Sequence, residues 1–351
     1  MQAETLRLTQ YSKGGGCGCK IAPSVLQQIL QTQNKDPFAK LIVGNESSDD
    51  AAVYQLNDET AVISTADFFL PIVDDAFDFG KIAAANSISD VYAMGGTPLM
   101  AIAILGWPVE KLPVEAAQQI LEGARAVCRE ANIPLAGGHT IDSSDPIFGL
   151  AVTGQVAMKH LKKNNTAREG DVLFLTKPVG IGILSTAVKR GVLSNLHYAG
   201  LLSQLTSLNS IGEQLGKLES VHAMTDVTGF GLLGHLLEMS EGSGMGAELY
   251  YHKLKRLDGL DECLQQKTIP DATFRNWNSY SSKIQFEKGV NVMEAFNLLP
   301  DPQTNGGLLI ACAPGSVNEV KEILSGKGYA EFAEPVGRII AKGEKTIQVK
   351  I

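Results

Sequence analysis

Apolar positions along the chain follow two spacings, which predicts a mixture of helices and strands. Short runs of β-branched and other apolar residues predict buried strands over 61–65, 99–105, 147–156, 172–176, 221–224 and 308–312. Apolar residues three and four positions apart predict helices over 24–32, 77–94, 114–130, 180–190 and 198–216, and a further helix that begins at Thr228 or Gly229. Strands and helices therefore follow one another through both halves of the chain.

A polar segment over 159–170 interrupts this pattern near the middle of the chain. A domain usually takes roughly 100–200 residues, so a chain of 351 residues predicts about two domains. We expect an N-terminal segment over 1–45, a first domain over 46–158 and a second domain over 169–351. The pair Lys162-Lys163 within the linker is expected to lie on a solvated surface.

Composition narrows the class of protein. Hydrophobic residues make up 44% and charged residues 19% of the chain, which is typical of a globular protein. The net charge of −8 disfavours a broad basic surface, so we expect no direct nucleic-acid binding. The chain lacks a long apolar run, so we expect no signal peptide and no membrane span. The five scattered cysteines disfavour a disulfide framework, and we expect a cytoplasmic protein.

Two thiols and two ammonium groups lie close together near the N-terminus, in the segment Lys13-Gly14-Gly15-Gly16-Cys17-Gly18-Cys19-Lys20. Its glycines predict a mobile backbone, and its lysines are expected to lower the pKa of the nearby thiols. Two alternatives stay open on residue types alone. Gly-rich termini are often simply disordered, and Cys-Gly-Cys is also half of a metal site with unusually tight spacing.

Aspartates recur at predicted strand ends and on one helix face. Asn86 and Asp90 are four residues apart and share a face of the helix over 77–94. Core hydrogen bonds and helix capping are the plain explanations, but convergent carboxylates also hold Mg²⁺ against phosphates. Residues 137–140, Gly-Gly-His-Thr, are expected to form a loop close to a ligand. The chain contains neither a P-loop nor the protein-kinase signature set.

Six motifs carry a resemblance to a known family. Ser-Asp-Asp-Ala-Ala-Val at 48–53 resembles the superfamily of aminoimidazole ribonucleotide synthetase, thiamine-monophosphate kinase and the hydrogenase-maturation dehydratase. Together with Gly-Gly-Cys-Gly-Cys-Lys, Asp-Val-Tyr-Ala-Met-Gly-Gly, Ala-Gly-Gly-His-Thr, Thr-Asp-Val-Thr-Gly-Phe-Gly and Asp-Pro-Gln-Thr-Asn-Gly-Gly, it resembles the selenophosphate synthetases (selenide, water dikinases). The one departure is Asn305, where the family pattern has Ser, and it touches no expected catalytic role.

The resemblance implies an activity and a set of site residues. The family makes selenophosphate, the selenium donor for selenocysteine and selenouridine synthesis, from ATP, selenide and water, and releases AMP and orthophosphate. Cys17 and Lys20 match its catalytic positions, and Asn86 is a weaker candidate. The positions that match its Mg²⁺ ligands are Asp50, Asp90 and Asp226. The positions that match its nucleotide contacts are Lys20, Ser47, Ser48, Asp49, Asp67, Asp90, Gly138, His139 and Thr140.

The same resemblance implies the architecture and the partners. It predicts an α+β fold of two domains, each a mixed sheet packed with helices, in a homodimer whose N-terminal sheets pair. Mg²⁺ is the implied cofactor, and a monovalent cation and a selenium-delivery protein are left open. Two alternatives remain at this point: another ATP-dependent small-molecule kinase of the superfamily, and a non-enzymatic selenium or thiol carrier.

Overall fold

Two mixed β-sheets, one in each half of the chain, form the framework to which the helices are attached. A computed structural model describes residues 6–12, 14–21, 23–30, 38–44 and 49–351. The α+β class expected from the resemblance is confirmed. In the described part of the chain, no helix combines the length and apolar character that a membrane span requires.

The first sheet has six strands in the spatial order β1-β2-β3-β6-β4-β5. Neighbouring strands are antiparallel except β4 and β5, which run parallel because a helix connects them. The strands are β1 Leu41–Val43, β2 Ala52–Gln55, β3 Thr60–Phe69, β4 Thr97–Trp107, β5 Leu135–Asp142 and β6 Ile147–Ala157. The helices of this half are α1 Pro23–Leu30, α2 Ala76–Ala93 and α3 Val114–Glu130.

The second sheet has seven strands in the order β10-β13-β9-β12-β7-β11-β8. Its strands are β7 Val172–Leu175, β8 Val221–Asp226, β9 Gly246–Tyr250, β10 Ile284–Phe286, β11 Leu308–Cys312, β12 Gly337–Ile340 and β13 Ile347–Lys350. Its helices are α4 Ile181–Arg190, α5 Asn195–Thr206, α6 Ile211–Gly216, α7 Gly231–Gly242, α8 Leu260–Gln265, α9 Asp271–Tyr280, α10 Val292–Leu298 and α11 Val317–Gly326. Strands β9 and β13, and β13 and β10, are parallel pairs.

Helix α2 connects the two halves. Asp75 caps its N-terminus by accepting a hydrogen bond from the backbone N–H of Asp78 at 2.8 Å. It packs on α3, β3 and β6 in the first half of the chain and on α5, α6 and β8 in the second half. Residues 82–93 are buried as a result. The polar residues of α2 therefore lie between the two sheets, where they need partners.

The prediction of a single helix over 198–216 was wrong, because α5 and α6 are separated at 207–210. Asn209 lies in this break with no exposed surface. Its Nδ2 donates hydrogen bonds to Ser89 Oγ and to the backbone oxygen of Gly306, both at 2.8 Å. These bonds require Asn209 to point into the core rather than to continue a helix.

Two further expectations were wrong. Residues 137–140 lie within the exposed edge strand β5 and do not form a loop. Lys162, expected on a solvated surface, is buried, and its Nζ donates to the backbone oxygen of Leu218 at 2.7 Å. A lysine can bury its aliphatic stem when its ammonium group reaches a hydrogen-bond acceptor.

Candidate active site

Cys17 lies in a 3₁₀ turn, Gly16–Cys19, that packs against both halves of the chain. Only 1% of its surface is exposed. Its backbone N–H donates to Thr304 Oγ1 at 2.9 Å, and its Sγ donates to Asn86 Oδ1 at 3.3 Å. Gly16 has φ +54°, and a Cβ there would meet Thr304 Oγ1 at 2.4 Å, so this turn requires glycine. The described part of the predicted mobile segment is thus packed in place, and its mobility stays a prediction.

Burial decides the protonation state of Cys17. It raises the pKa of the thiol well above its usual range, although Lys20 opposes the effect. The expected lowering of this pKa by a neighbouring cation is present, but burial outweighs it. Residue types alone could not reveal how deeply the thiol is buried. The resting form of Cys17 is the neutral thiol.

Asn86, on α2, is the polar centre of the site. Its Oδ1 accepts from the Cys17 thiol and from the backbone N–H of Asn305, the latter at 2.7 Å. Its Nδ2 donates to Asp67 Oδ2 at 2.6 Å. One buried amide therefore joins the N-terminal turn, β3 and the 301–307 loop.

Lys20 stands between an acidic group and an aromatic ring. Its Nζ lies 3.7 Å from Asp67 Oδ1 and 6.0 Å from the ring centroid of Phe230. The charge of Asp67 raises the pKa of Lys20, whose side chain keeps 39% of its surface exposed. Gly229 allows this approach, because a Cβ there would lie 2.6 Å from the Cys17 backbone oxygen. Lys20 is therefore a permanent cation beside the Cys17 thiol.

The predicted metal ligands each accept a hydrogen bond from a hydroxyl group. Thr225 donates to Asp50 Oδ1 at 2.7 Å, Thr65 donates to Asp90 Oδ2 at 2.5 Å, and Ser89 donates to Asp226 Oδ2 at 2.5 Å. The sequence analysis missed these hydroxyl groups. Thr225 precedes Asp226 and Ser89 precedes Asp90 in the chain, but only the packing of β3, β8 and α2 shows what they contact.

The carboxylates also act on one another. Burial, and then Asp226, Asp49 and Asp90, raise the pKa of Asp50 well above its usual value. Burial, and then Asp67 and Asp226, do the same for Asp90. These carboxylates therefore lie close enough to raise one another's pKa.

The chemistry of these residues fits a hard divalent cation. Carboxylate oxygens are the ligands that Mg²⁺ prefers, and Oδ2 of both Asp49 and Asp50 is buried with no hydrogen-bond partner among the described residues. Within the residues that the structure describes, no three His, Cys, Asp or Glu side chains are gathered closely enough to form a metal-binding group. The carboxylates are thus available to a cation but do not enclose one by themselves.

The structure does not bring all of the predicted nucleotide contacts together. Asp67 on β3 lies level with Leu150 on β6, Ala103 on β4 and Gly138 on β5. Three strand spacings separate Asp67 from Gly138, or about 14 Å. His139 and Thr140 lie on the same exposed edge strand. Ser47 and Ser48 lie outside the described residues.

A cavity of about 270 Å³ opens at the N-terminal turn. Cys17, Lys20, Asp67, Phe68 and Ile147 contribute to its lining. It places the thiol, the permanent cation and one carboxylate around a single space. Such a space suits the transfer of a phosphoryl group to an acceptor held near Cys17, because positive charge there stabilises the charge that develops on phosphate oxygens.

Comparison with known proteins connects this site to a family. Residues 48–156 match the family described as AIR synthase related protein, N-terminal domain, and residues 168–350 match its C-terminal domain. Two proteins named "Selenide, water dikinase" match over the full chain. The protein of Pseudomonas putida is 53% identical over 99% of both chains, and that of Haemophilus influenzae is 50% identical over 100% of both chains.

Solved structures support the same fold. Thiamine-monophosphate kinase from Stenotrophomonas maltophilia superposes with a TM-score of 0.64 at 19% identity, covering 94% of this chain and 96% of that chain. The hydrogenase maturation protein HypE in complex with ATP gives a TM-score of 0.64 at 16% identity, covering 98% of this chain and 95% of that chain. At such identities the likeness concerns the fold alone. The identity with the full-length relatives goes further, and the chain belongs to the selenide, water dikinase family.

Proposed function

We propose that this enzyme converts ATP, selenide and water to selenophosphate, AMP and orthophosphate. The observation that carries the proposal is 50–53% identity over the whole chain with proteins named selenide, water dikinase. The Cys17 site is consistent with it, because a soft thiol stands beside a lysine and a set of carboxylates. The product serves as the selenium donor for selenocysteine and selenouridine synthesis.

Lys20 and Cys17 are the proposed catalytic residues. Lys20, charged and next to Asp67, is placed to stabilise negative charge that develops on a transferred phosphoryl group. The Cys17 thiol orients the selenide that accepts the phosphoryl group. Its hydrogen bond to Asn86 fixes the direction of the thiol. The buried turn around Cys17 excludes water from a reactive intermediate.

Asp50, Asp90 and Asp226 would hold Mg²⁺, with Asp49 and Asp67 near the bound nucleotide together with Ser47 and Ser48. When bound, Mg²⁺ would neutralise charge on the phosphate oxygens. The chain's own contribution is to orient the carboxylates, which Thr225, Thr65 and Ser89 do through their hydroxyl groups. These bonds lower the pKa of each carboxyl group against the opposing effect of burial.

A homodimer would complete the nucleotide site. In the described part of the chain, no helix covers one face of the first sheet, which exposes apolar side chains, with Phe68 at 53%, Ile102 at 46% and Ile141 at 57%. An apolar face of this kind is typical of a protein–protein interface. Gly138, His139 and Thr140 lie on the edge strand of this sheet, and we propose that they reach the nucleotide bound to the partner subunit.

We further propose that the chain divides as its sequence predicts. Residues 1–45 form the segment with the Cys17 turn, 46–158 form the domain that binds ATP and Mg²⁺ and makes the dimer, and 169–351 form the second α+β domain. The second sheet lies within 169–351, and the first sheet lies within 46–158 except for its edge strand β1, Leu41–Val43, which belongs to the N-terminal segment.

Product analysis by phosphorus NMR tests the function. The enzyme is incubated anaerobically with ATP and Mg²⁺, with and without sodium selenide. We expect AMP, orthophosphate and a selenium-coupled phosphorus signal only when selenide is present. Cys17→Ser should abolish this signal, whereas the control Cys128→Ala, a buried cysteine on α3, should keep it.

Two other outcomes would replace the proposal. ADP as the sole product, formed regardless of selenide, would make the chain a small-molecule kinase of the same superfamily. Full selenium-handling function after Asp50→Ala would favour a thiol carrier, because a carrier does not need the carboxylates.

A further inference from the structure

A second cavity, of about 420 Å³, borders the same Gly-rich segment as the Cys17 cavity. Gly14, Gly15 and Gly18 line this second cavity, whereas Gly16 and Cys17 line the first. Cys19 is half-buried and lines both spaces. The predicted function uses Cys17 and gives no role to this cavity or to Cys19.

Three basic side chains line the second cavity: Lys189, Arg190 and Arg275. Each donates to a backbone oxygen: Lys189 Nζ to Ser12 at 2.5 Å, Arg190 Nη1 to Lys267 at 2.9 Å, and Arg275 Nη2 to Gly18 at 3.0 Å. None of the three forms an ion pair within the described ranges of the chain. A backbone oxygen does not neutralise a full positive charge, so the charges remain available to a ligand.

The rest of the lining adds polar groups and little negative charge. Asp271 is the carboxylate among the lining residues, and it lies in the first turn of α9, where the helix dipole stabilises it. Ser185 also lines the cavity, and its Oγ is buried without a hydrogen-bond partner in the described part of the chain. Three cations against one carboxylate, with a free hydroxyl group, favour a small anion.

Cys19 adds a thiol group beside the cations of the cavity. Burial raises the pKa of its thiol, while Lys189 and Arg275 act in the opposite direction, so both cations lie close enough to affect the sulfur. The Cys19 thiol is a weak hydrogen-bond donor towards an anion held between these cations. Hydrogen selenide is a monoanion at neutral pH, small enough for this space, and it is the small anionic substrate of the proposed reaction.

We propose that the second cavity binds hydroselenide before it reaches Cys17, with Lys189 and Arg275 as the binding groups and Cys19 beside them. The proposal rests on the proposed function, because selenide is the substrate of that reaction. It separates the two substrates in space: the anion that needs no metal binds between cations, and the nucleotide binds on the acidic side. Orthophosphate, a product, is the other small anion that this chemistry would accept.

Steady-state kinetics of Lys189→Gln, Arg275→Gln and the double variant test the proposal. We expect the double variant to raise the KM for selenide at least about tenfold, with kcat and the KM for ATP within about twofold of wild type. The matched control is the double variant Lys255→Gln and Lys327→Gln, which removes two exposed lysines from a separate groove of about 980 Å³. This control should leave all three constants unchanged.

A second measurement does not depend on turnover. Crystals soaked anaerobically in sodium selenide should give an anomalous selenium peak between Lys189 and Arg275, absent from the double variant. A peak in an enzyme that makes no selenophosphate would support this site while the proposed function fails. An unchanged KM for selenide in an active double variant would overturn the proposal. The proposal would also be overturned if the double variant changed the inhibition constant for orthophosphate but left the KM for selenide unchanged.

Discussion

Asn86 shows how one residue fixes the geometry of the site. Its amide oxygen accepts from Cys17 Sγ and from the backbone N–H of Asn305, and its amide nitrogen donates to Asp67. All of these groups are buried or half-buried. A buried polar group left without a partner costs about 1–3 kcal/mol, so the three contacts depend on one another.

Replacement of Asn86 by Ala should therefore weaken both the fold and the site. We expect a lower Tm, a kcat reduced at least about tenfold, and faster alkylation of Cys17 by iodoacetamide, because the thiol loses its partner. Mass spectrometry of the labelled peptide gives the alkylation rate. The control Asn291→Ala removes the N-cap of α10, at about 1 kcal/mol, far from Cys17. Unchanged Cys17 labelling in Asn86→Ala would contradict this role.

Lys177 gives a pH-dependent prediction. It is 2% exposed, and burial lowers its pKa from 10.5 to about 7. Its Nζ donates to the backbone oxygens of Ser207 and Asn305, at 2.8 and 3.0 Å. A neutral amine has two hydrogens and keeps both bonds. Between pH 7 and 10.5 the unfolded chain binds a proton at this site that the folded chain does not, so stability rises with pH in this range.

The variant Lys177→Met should lack this contribution. The stability of wild type relative to the variant should rise by up to about 1.4 kcal/mol per pH unit above pH 7, and should be constant below pH 6. Differential scanning calorimetry of both proteins from pH 5 to 10 measures the difference in Tm. Parallel curves for the two proteins across this range would contradict the lowered pKa.

At the scale of elements, the loop between β8 and α7 depends on a histidine inside the helix. Thr228 donates its backbone N–H to His235 Nε2 at 3.1 Å, so the ring proton is on Nδ1, which lies 3.3 Å from Glu238 Oε2. Burial lowers the pKa of His235 to about 3. The same loop carries Gly229 and Phe230, which contact the Cys17 and Lys20 turn.

His235 is therefore a positioning residue, and its replacement should change the surroundings of Lys20. His235→Leu leaves the Thr228 N–H buried without an acceptor, at about 1–3 kcal/mol, and frees Phe230. We expect a lower Tm, a lower kcat and a higher KM for ATP. Glu238→Gln keeps a hydrogen-bond acceptor for Nδ1 and should behave like wild type. Equal losses in kcat for the two variants would exclude this mechanism, and Tm and initial rates provide the comparison.

The helices and strands also show which features local sequence patterns can predict and which they cannot. The helix predicted over 77–94 is α2, Ala76–Ala93, because its apolar spacing and its end at Gly95 are local signals. The contact of Asn86 with Asn305 joins residues 219 apart in the chain, and no local pattern contains it. The same limit applies to the break at Asn209, whose partners come from α2 and the 301–307 loop.

At the scale of the whole molecule, the first sheet faces two environments. Its inner face packs on α2 and α3 and holds the carboxylates of β3 and α2 near the Cys17 turn. Its outer face exposes Phe68 and Ile102, and its edge strand carries His139 away from the site of its own chain. The proposed homodimer through this face would explain both features at once, because it would cover the apolar surface and would bring a second His139 toward each nucleotide.

Complementation between two inactive variants distinguishes shared sites from separate ones. If each site combines Cys17 of one subunit with His139 of the other, a mixed dimer of Cys17→Ser and His139→Ala has one site with both defects and one with neither. If each subunit has its own complete site, both sites of the mixed dimer carry one defect. We expect co-refolded mixtures to regain about a quarter of wild-type activity, since about half of the dimers are mixed and each has one intact site.

A mixture of Cys17→Ser with Lys20→Ala is the control and should stay inactive, because both residues act in the same subunit. Activity in the first mixture no higher than the sum of its parents would show that the sites are not shared.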